Sequence, residues 1–401
     1  MRSADDPDGS SNPLISRRLF GVAAGAAVLS VSVDQIARAL LPEAAHATLA
    51  GRSPTSNDTN PGQIAAAKGL YFGSAISNTP FRDADYRALY AKYCNILVHG
   101  SALQWHETQL QPGQPYDFAR AEAMYQWAHG AGKAMRGHAM LDWAGLPPWL
   151  EPAIAAATPS QVATMLRQHV TAYATHWKGR FIQWNVANEP IGNGMRRYGW
   201  FNKLGEQYLD LAFATAHEID PATPLALNQN LVEMNGWWQQ RELGTLLGLV
   251  QRLKSRGVPI KSVGIEGHLQ SGQGVNQAGL DQFCKALAQL GVTFMVTEFD
   301  IDDRQFPGDP SLRDAACASL ARDFFDVTLS QPNCEGLIVW DMSDRENWLT
   351  RVPAKARPDK LSQRPALLDD QYRPKPVWQE ALNALRRAPG HMGASNLSRS
   401  A

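Results

Sequence analysis

The chain has 401 residues, with 38 Lys+Arg against 38 Asp+Glu and a formal net charge of zero. That balance argues against binding driven by bulk charge, so neither nucleic acid nor an anionic membrane surface is expected as a partner. The length suits one large α/β barrel of about 250 residues or more plus extensions.

At the N-terminus, Ser16-Arg17-Arg18-Leu19-Phe20 precedes an apolar run over 21–33, and Ala45-His46-Ala47 follows as a cleavage-type tripeptide. The paired arginines resemble a twin-arginine export signal, although Val22-Ala23 stands where a lysine often follows. The run is too short for a permanent bilayer span. Residues 1–47 are therefore expected to be an export signal, giving a periplasmic or secreted bacterial protein with no membrane span once mature. Residues 48–63 read as a polar linker, 64–388 as the folded domain and 389–401 as a flexible tail. The cysteines Cys94, Cys284, Cys317 and Cys334 show no CxxC pair and no zinc spacing. Cys94 reads as a buried hydrophobe, and spacing leaves open a disulfide among the others.

Eight apolar, strand-like runs follow, near 71–75, 94–98, 134–138, 181–186, 224–228, 262–266, 292–298 and 336–340. Amphipathic helical stretches lie between them, among them 119–130, 160–177, 205–218, 244–256 and 311–329. Strands alternating with helices imply parallel pairing through crossovers, and eight such units imply a single (β/α)8 TIM barrel of the α/β class, preceded by the export signal.

Two of these strands end alike. Phe181-Ile182-Gln183-Trp184-Asn185-Val186-Ala187 runs into Asn188-Glu189-Pro190, and Val292-Thr293-Phe294-Met295-Val296-Thr297 runs into Glu298-Phe299-Asp300. Carboxylates at the C-terminal ends of barrel strands lie at the face where such folds do chemistry. A lone strand-end glutamate is more often an ion-pair partner or a cap. Two at one mouth provide the proton donor and the nucleophile that retaining glycoside cleavage needs. The 12 Trp and 10 Tyr offer flat faces for pyranose rings, though most tryptophans in any protein are core.

Several separated stretches together resemble glycoside hydrolase family 10, the (β/α)8 endo-1,4-β-xylanases, over 64–388. Trp184-Asn185-Val186-Ala187-Asn188-Glu189 is similar to the family's acid/base strand and Thr297-Glu298-Phe299-Asp300-Ile301 to its nucleophile strand. Arg136-Gly137-His138, then Val339-Trp340-Asp341-Met342-Ser343-Asp344 with Trp348, and finally Leu367-Leu368-Asp369 with Tyr372-Arg373-Pro374-Lys375-Pro376 continue the likeness in order. The resemblance implies Glu189 as acid/base and Glu298 as nucleophile. It also implies that His268 bonds the nucleophile, that Asp300 orients that histidine, and that Asn188 holds the 2-hydroxyl of the sugar. His138, Trp340 and Trp348 would touch substrate, with ordinary packing still open for the two tryptophans. No cofactor is implied and no metal-ligand cluster is evident. The expected partner is a polysaccharide or oligosaccharide, and the expected state is a monomer.

The departures from the family cluster on the glycone side. Where xylanases carry E-N-x-M-K-W, this chain has Gly100-Ser101-Ala102-Leu103-Gln104-Trp105; where they carry G-H-T-L-V-W-H, it has Gly137-His138-Ala139-Met140-Leu141-Asp142-Trp143. Glu266 stands for the family's glutamine. Gln104, Trp105, Asp142, Trp143 and Glu266 thus become candidate substrate contacts of altered kind. A buried polar group left unpaired costs about 1–3 kcal/mol, so several mismatches disfavour plain xylan. Three readings compete: an endo-1,4-β-xylanase, a same-fold glycosidase acting on a modified or bacterial exopolysaccharide, and a non-catalytic carbohydrate-binding barrel.

Overall fold

The computed structural model describes residues 60–192 and 199–390. The export signal and most of the linker and tail expected above lie outside the described residues. Ten strands, numbered along the chain, carry the architecture: β1 (Tyr71–Ile76), β2 (Ile96–His99), β3 (Ala134–Gly137), β4 (Leu141–Asp142), β5 (Gln183–Asn188), β6 (Leu225–Gln229), β7 (Ile260–Ile265), β8 (His268–Gln270), β9 (Thr293–Asp302) and β10 (Cys334–Val339). Eight of them pair in parallel in the order β10-β1-β2-β3-β5-β6-β7-β9, and β9 pairs β10 to close the ring. This is the expected (β/α)8 barrel.

The helices begin where local chemistry starts them. Thr158 and Gln161 form a reciprocal capping box ahead of Pro159–His176, and Pro159 has no N–H to leave unpaired. Asp309 caps Pro310–Thr328 through the N–H groups of Ser311 and Leu312. The Asn276 side chain accepts from the N–H of Gly279 at the start of Gln277–Gln289.

The interior of the ring is layered. Near the N-terminal ends, Glu335 accepts from Gln183 Nε2 (2.7 Å), Thr293 Oγ1 (2.7 Å) and Ser262 Oγ (3.1 Å), while Arg136 Nε donates to Gln183 Oε1 (2.8 Å). Ala75, Ile96, Val98, Met295 and Ile338 form an apolar cluster of their own, separate from the larger core between strands and helices. The acidic residues discussed below lie toward the other end of the strands.

Two details differ from the sequence expectation, and one left open is settled. A helix at Pro61–Ala67 begins inside the supposed linker, started by the Asn60 side chain accepting from the N–H of Gln63. β2 starts at Ile96, because the Asn95 side chain bonds Phe72 N, Gly62 O and Leu70 O and ties the approach to the neighbouring segment. The four cysteines are all buried and free, so the open question of a disulfide is answered in the negative. No helix among the described residues is long and apolar enough to cross a membrane.

Candidate active site

Two short strands aim the site. β4 pairs β5 so that Asp142 lies opposite Asn188, and β8 pairs β9 so that His268 lies opposite Asp300. The turn into β8 needs Gly267, whose φ is 79° and whose N–H donates to Glu233 Oε1 (2.9 Å). A side chain there would be strained and would crowd Val296 and Phe324.

Glu298 projects from β9 and is 5% exposed. Its Oε1 accepts from Asn228 Nδ2 at 2.7 Å, and its Oε2 lies 3.4 Å from His268 Nε2. The His268 ring is held from behind, with Nδ1 at 2.7 Å from Asp300 Oδ1, and Asp300 in turn accepts from Trp348 Nε1 at 2.7 Å. Burial works against charge on His268, but the charge of Asp300 and its hydrogen bond raise the imidazole well above its usual value. For Glu298, burial favours the neutral acid. The positive charge of the surrounding His138, His268 and Arg136, with the His268 hydrogen bond, outweighs burial and keeps the carboxyl below its ordinary value.

Glu189 follows directly after β5 in the left-handed conformation, with φ at 48°. Its N–H donates to Asn228 O at 2.8 Å. Burial pushes its carboxyl up to about 7; a Trp143 hydrogen bond opposes this, and the charges of Asp142 and Glu298 add to it. Two carboxyls within one another's field thus have proton affinities shifted in opposite directions.

Asn188 Oδ1 accepts from Asn185 Nδ2 (3.0 Å) and Asn228 Nδ2 (2.9 Å), which turns its own NH2 away from those two partners. His138 Nδ1 accepts from Asn185 Nδ2 at 3.1 Å and lies edge-on to Trp340, with ring centroids 5.3 Å apart. Burial lowers the His138 pKa, and the charges of Glu298 and Asp142 oppose this. Trp348 presents its ring edge-on to His268 at 5.7 Å. Glu266, 1% exposed, accepts from Asn228 Nδ2 at 3.0 Å. The structure therefore brings Glu189, Glu298, Asn188, His268, Asp300, His138, Glu266, Trp143, Trp340 and Trp348 into one neighbourhood.

The glycone-side candidates divide. Gln104 Nε2 donates to Asp142 Oδ2 (3.0 Å), and Asp142 Oδ1 also accepts from the N–H of Ala144 (3.0 Å). Trp105 is a correction. It is 4% exposed, stacked on His169 with centroids 3.5 Å apart, and its Nε1 donates to Gln109 Oε1. The ring belongs to the core, because the short helix Trp105–Thr108 turns it toward Pro159–His176 rather than toward the barrel mouth. One grouping was not expected from the sequence. Glu266 and His268, either side of the Gly267 turn, and Glu298 on β9 place ligand atoms within 4.8 Å of one another, a grouping that exists only because β8 pairs β9.

Chain comparisons agree with this architecture. The family model for glycosyl hydrolase family 10 matches residues 62–384. The chain belongs to glycosyl hydrolase family 10. It is a glycoside hydrolase. It is 29% identical over 320 residues to a β-1,4-xylanase of Dictyoglomus thermophilum, covering 77% of this chain and 86% of that one. It is 30% identical over 294 residues to endo-1,4-β-xylanase A of Phanerodontia chrysosporium, covering 71% and 69%. In fold it is similar to xylanase 10B of Thermotoga maritima, with a TM-score of 0.73 at 23% identity over 82% of this chain and 98% of that one. The intracellular xylanase TsXylA of Thermoanaerobacterium saccharolyticum gives 0.70 at 26% identity, covering 82% and 99%.

Within this family 10 barrel the sequence reading missed one residue that ties the site together. Asn228, at the end of β6, has its NH2 within 3.0 Å of oxygens on Asn188, Glu266 and Glu298, and its Oδ1 accepts from Thr297 Oγ1 at 2.6 Å. Gly264 beside it is required, since a Cβ there would stand 1.8 Å from Asn228 Oδ1. The signal was available: Ala226-Leu227-Asn228-Gln229 is again an apolar strand ending in an amide.

Proposed function

We propose that this chain is a retaining endo-β-1,4-glycanase, nominally an endo-1,4-β-xylanase, in which Glu189 is the acid/base and Glu298 the nucleophile. The observation that carries the reading is the opposed proton affinity of these two glutamates in a shared neighbourhood. Glu189, protonated below about 7, gives its proton to the leaving glycosidic oxygen. Glu298, held anionic by His268 and Asn228, attacks the anomeric carbon and forms a glycosyl-enzyme. Glu189 then takes a proton from water, which releases the sugar with its configuration retained. Such chemistry sets the two carboxyls roughly 5–5.5 Å apart. Asn188 offers its NH2 to the 2-hydroxyl, and His138, Trp340 and Trp348 line the subsite at the cleaved bond. The substrate is a polysaccharide or oligosaccharide, and one chain supplies every named group, so a monomer suffices. The export signal read over 1–47 would deliver it to the periplasm or beyond.

A second reading of the substrate has its own support. The glycone-side glutamate, asparagine and lysine of the xylanases are replaced by Gly100, Ser101 and Gln104, and Gln104 is already bonded to Asp142. The groups that hold xylose there are gone, which favours a bulkier or branched β-linked glycan such as a modified plant or bacterial polysaccharide. Activity over a panel of β-linked polysaccharides, with wild type, Glu189→Ala and Glu298→Gln side by side, tests both readings. Glu298→Gln should lose at least about 10⁴-fold in kcat and Glu189→Ala about 10²–10⁴-fold. Proton NMR of the first product should show a retained anomer. An inverted product, or full activity in either variant, would falsify the assignment of roles. Xylo-oligosaccharide cleavage at ordinary xylanase efficiency would sink the altered-glycone reading alone.

A further inference from the structure

The surroundings of Glu298 contain a second carboxylate that the family pattern lacks. Glu266 stands where the resemblance calls for glutamine, and the substitution changes what the cluster can bind. Glu266 and Glu298 are each anchored through Oε1 by the same donor, Asn228 Nδ2. Each therefore turns Oε2 toward one point, His268 Nε2, at 3.7 Å and 3.4 Å. His268 is anchored from the opposite side, its Nδ1 committed to Asp300 and Asp300 fixed by Trp348.

Three ligand atoms thus converge while each parent group is held from behind. That is the pattern of outer partners that orients metal ligands, a carboxylate–histidine pair among them. Zinc holds nitrogen and oxygen at about 2.0–2.2 Å, so neighbouring ligands of a tetrahedral site lie about 3.3–3.6 Å apart. The three atoms lie within 4.8 Å of one another, with His268 Nε2 at 3.4 Å and 3.7 Å from the two carboxylates, so the cation would draw the group slightly inward. With glutamine at 266 the cluster would have one carboxylate and one imidazole, too few for such a site.

We propose that Glu266, His268 and Glu298 form a binding site for one zinc-type divalent cation, and that the bound cation silences hydrolysis by engaging Glu298. The bonds formed are metal–Nε2 and two metal–Oε2. The proton on His268 Nε2 and any carried by the carboxyls leave to solvent, and the fourth position stays open to water or a sugar hydroxyl. The silencing half rests on Glu298 being the nucleophile; the binding half does not.

The test keeps the two halves apart. Untagged, chelator-treated full-length protein is titrated with Zn2+ by calorimetry, alongside Glu266→Gln and Asp300→Asn. Wild type should bind one Zn2+ per chain at a strong site. Asp300→Asn should bind it about 10–100-fold more weakly, and Glu266→Gln at least as much more weakly. Melting curves establish that each variant is folded, and Asp300→Asn carries the test if Glu266→Gln is not. Half-buried surface pairs such as His106–Glu107 and His176–Glu122 supply only weak background common to all three proteins. Hydrolysis by wild type should fall with Zn2+ and return with chelator, and the Glu266→Gln variant should need at least tenfold more Zn2+ for the same loss. Equal affinity in wild type and both variants, or no strong site in wild type, overturns the proposal. Strong Glu266-dependent binding with undiminished hydrolysis overturns the silencing and counts against Glu298 as nucleophile.

Discussion

Glu189 combines a left-handed backbone with a carboxyl pushed up to about 7, chiefly by burial. Both features cost stability and both suit a proton donor. The pH dependence follows with a definite sign. The folded-state pKa lies above the unfolded value near 4.5, so the folded protein gains from holding this proton at low pH and loses that advantage as pH rises through about 7. Glu189→Gln removes the titration, and the variant should be more stable than wild type by up to about 3 kcal/mol above pH 8, with little difference below pH 4. Urea unfolding at the two pH values measures this; equal curves at high pH would show that Glu189 does not hold its proton unusually. Hydrolysis by the wild type should also decline as pH rises through about 7, because the donor is then empty.

At the scale of the element, two-residue β4 places a charge beside the proton donor. It sets Asp142 opposite Asn188 in the register and lets its charge add to the upward push on Glu189. Replacing Asp142 by Asn removes that repulsion, so the alkaline limb of the pH–rate profile should move to lower pH; a limb unmoved or displaced upward contradicts the coupling. The helix Trp105–Thr108 makes the opposite point. Its tryptophan was expected at the substrate and instead packs on His169 and Trp200. Trp105→Ala should cost about 3–5 kcal/mol of stability as a core deletion, with KM unchanged at a temperature where the variant is folded. A raised KM with native stability would return Trp105 to the cleft.

At the scale of the whole molecule, the barrel is closed toward one end by polar groups around Glu335 and lined above them by an apolar layer. Glu335→Leu strands the Gln183, Thr293 and Ser262 donors and deprives Arg136 of a nearby carboxyl. The loss should be on the order of 3 kcal/mol by urea denaturation, with the active-site groups untouched at the far end of the strands. A variant as stable as wild type would mean that these groups find other partners.

Local pattern was sufficient for the eight strands, the two strand-end glutamates and the order of motifs that indicate the family, since alternation of strand and helix and an abrupt change from apolar to acidic are written in adjacent residues. It could not reveal that Asn228 gathers Asn188, Glu266 and Glu298, nor that Trp105 turns inward, nor that Glu266, His268 and Glu298 converge. Those facts depend on which strands become neighbours when the ring closes, and on side-chain directions set by pairing partners dozens of residues away. Chemistry type was legible along the chain; the charge state of each group was decided by burial and by neighbours that only the closed barrel supplies.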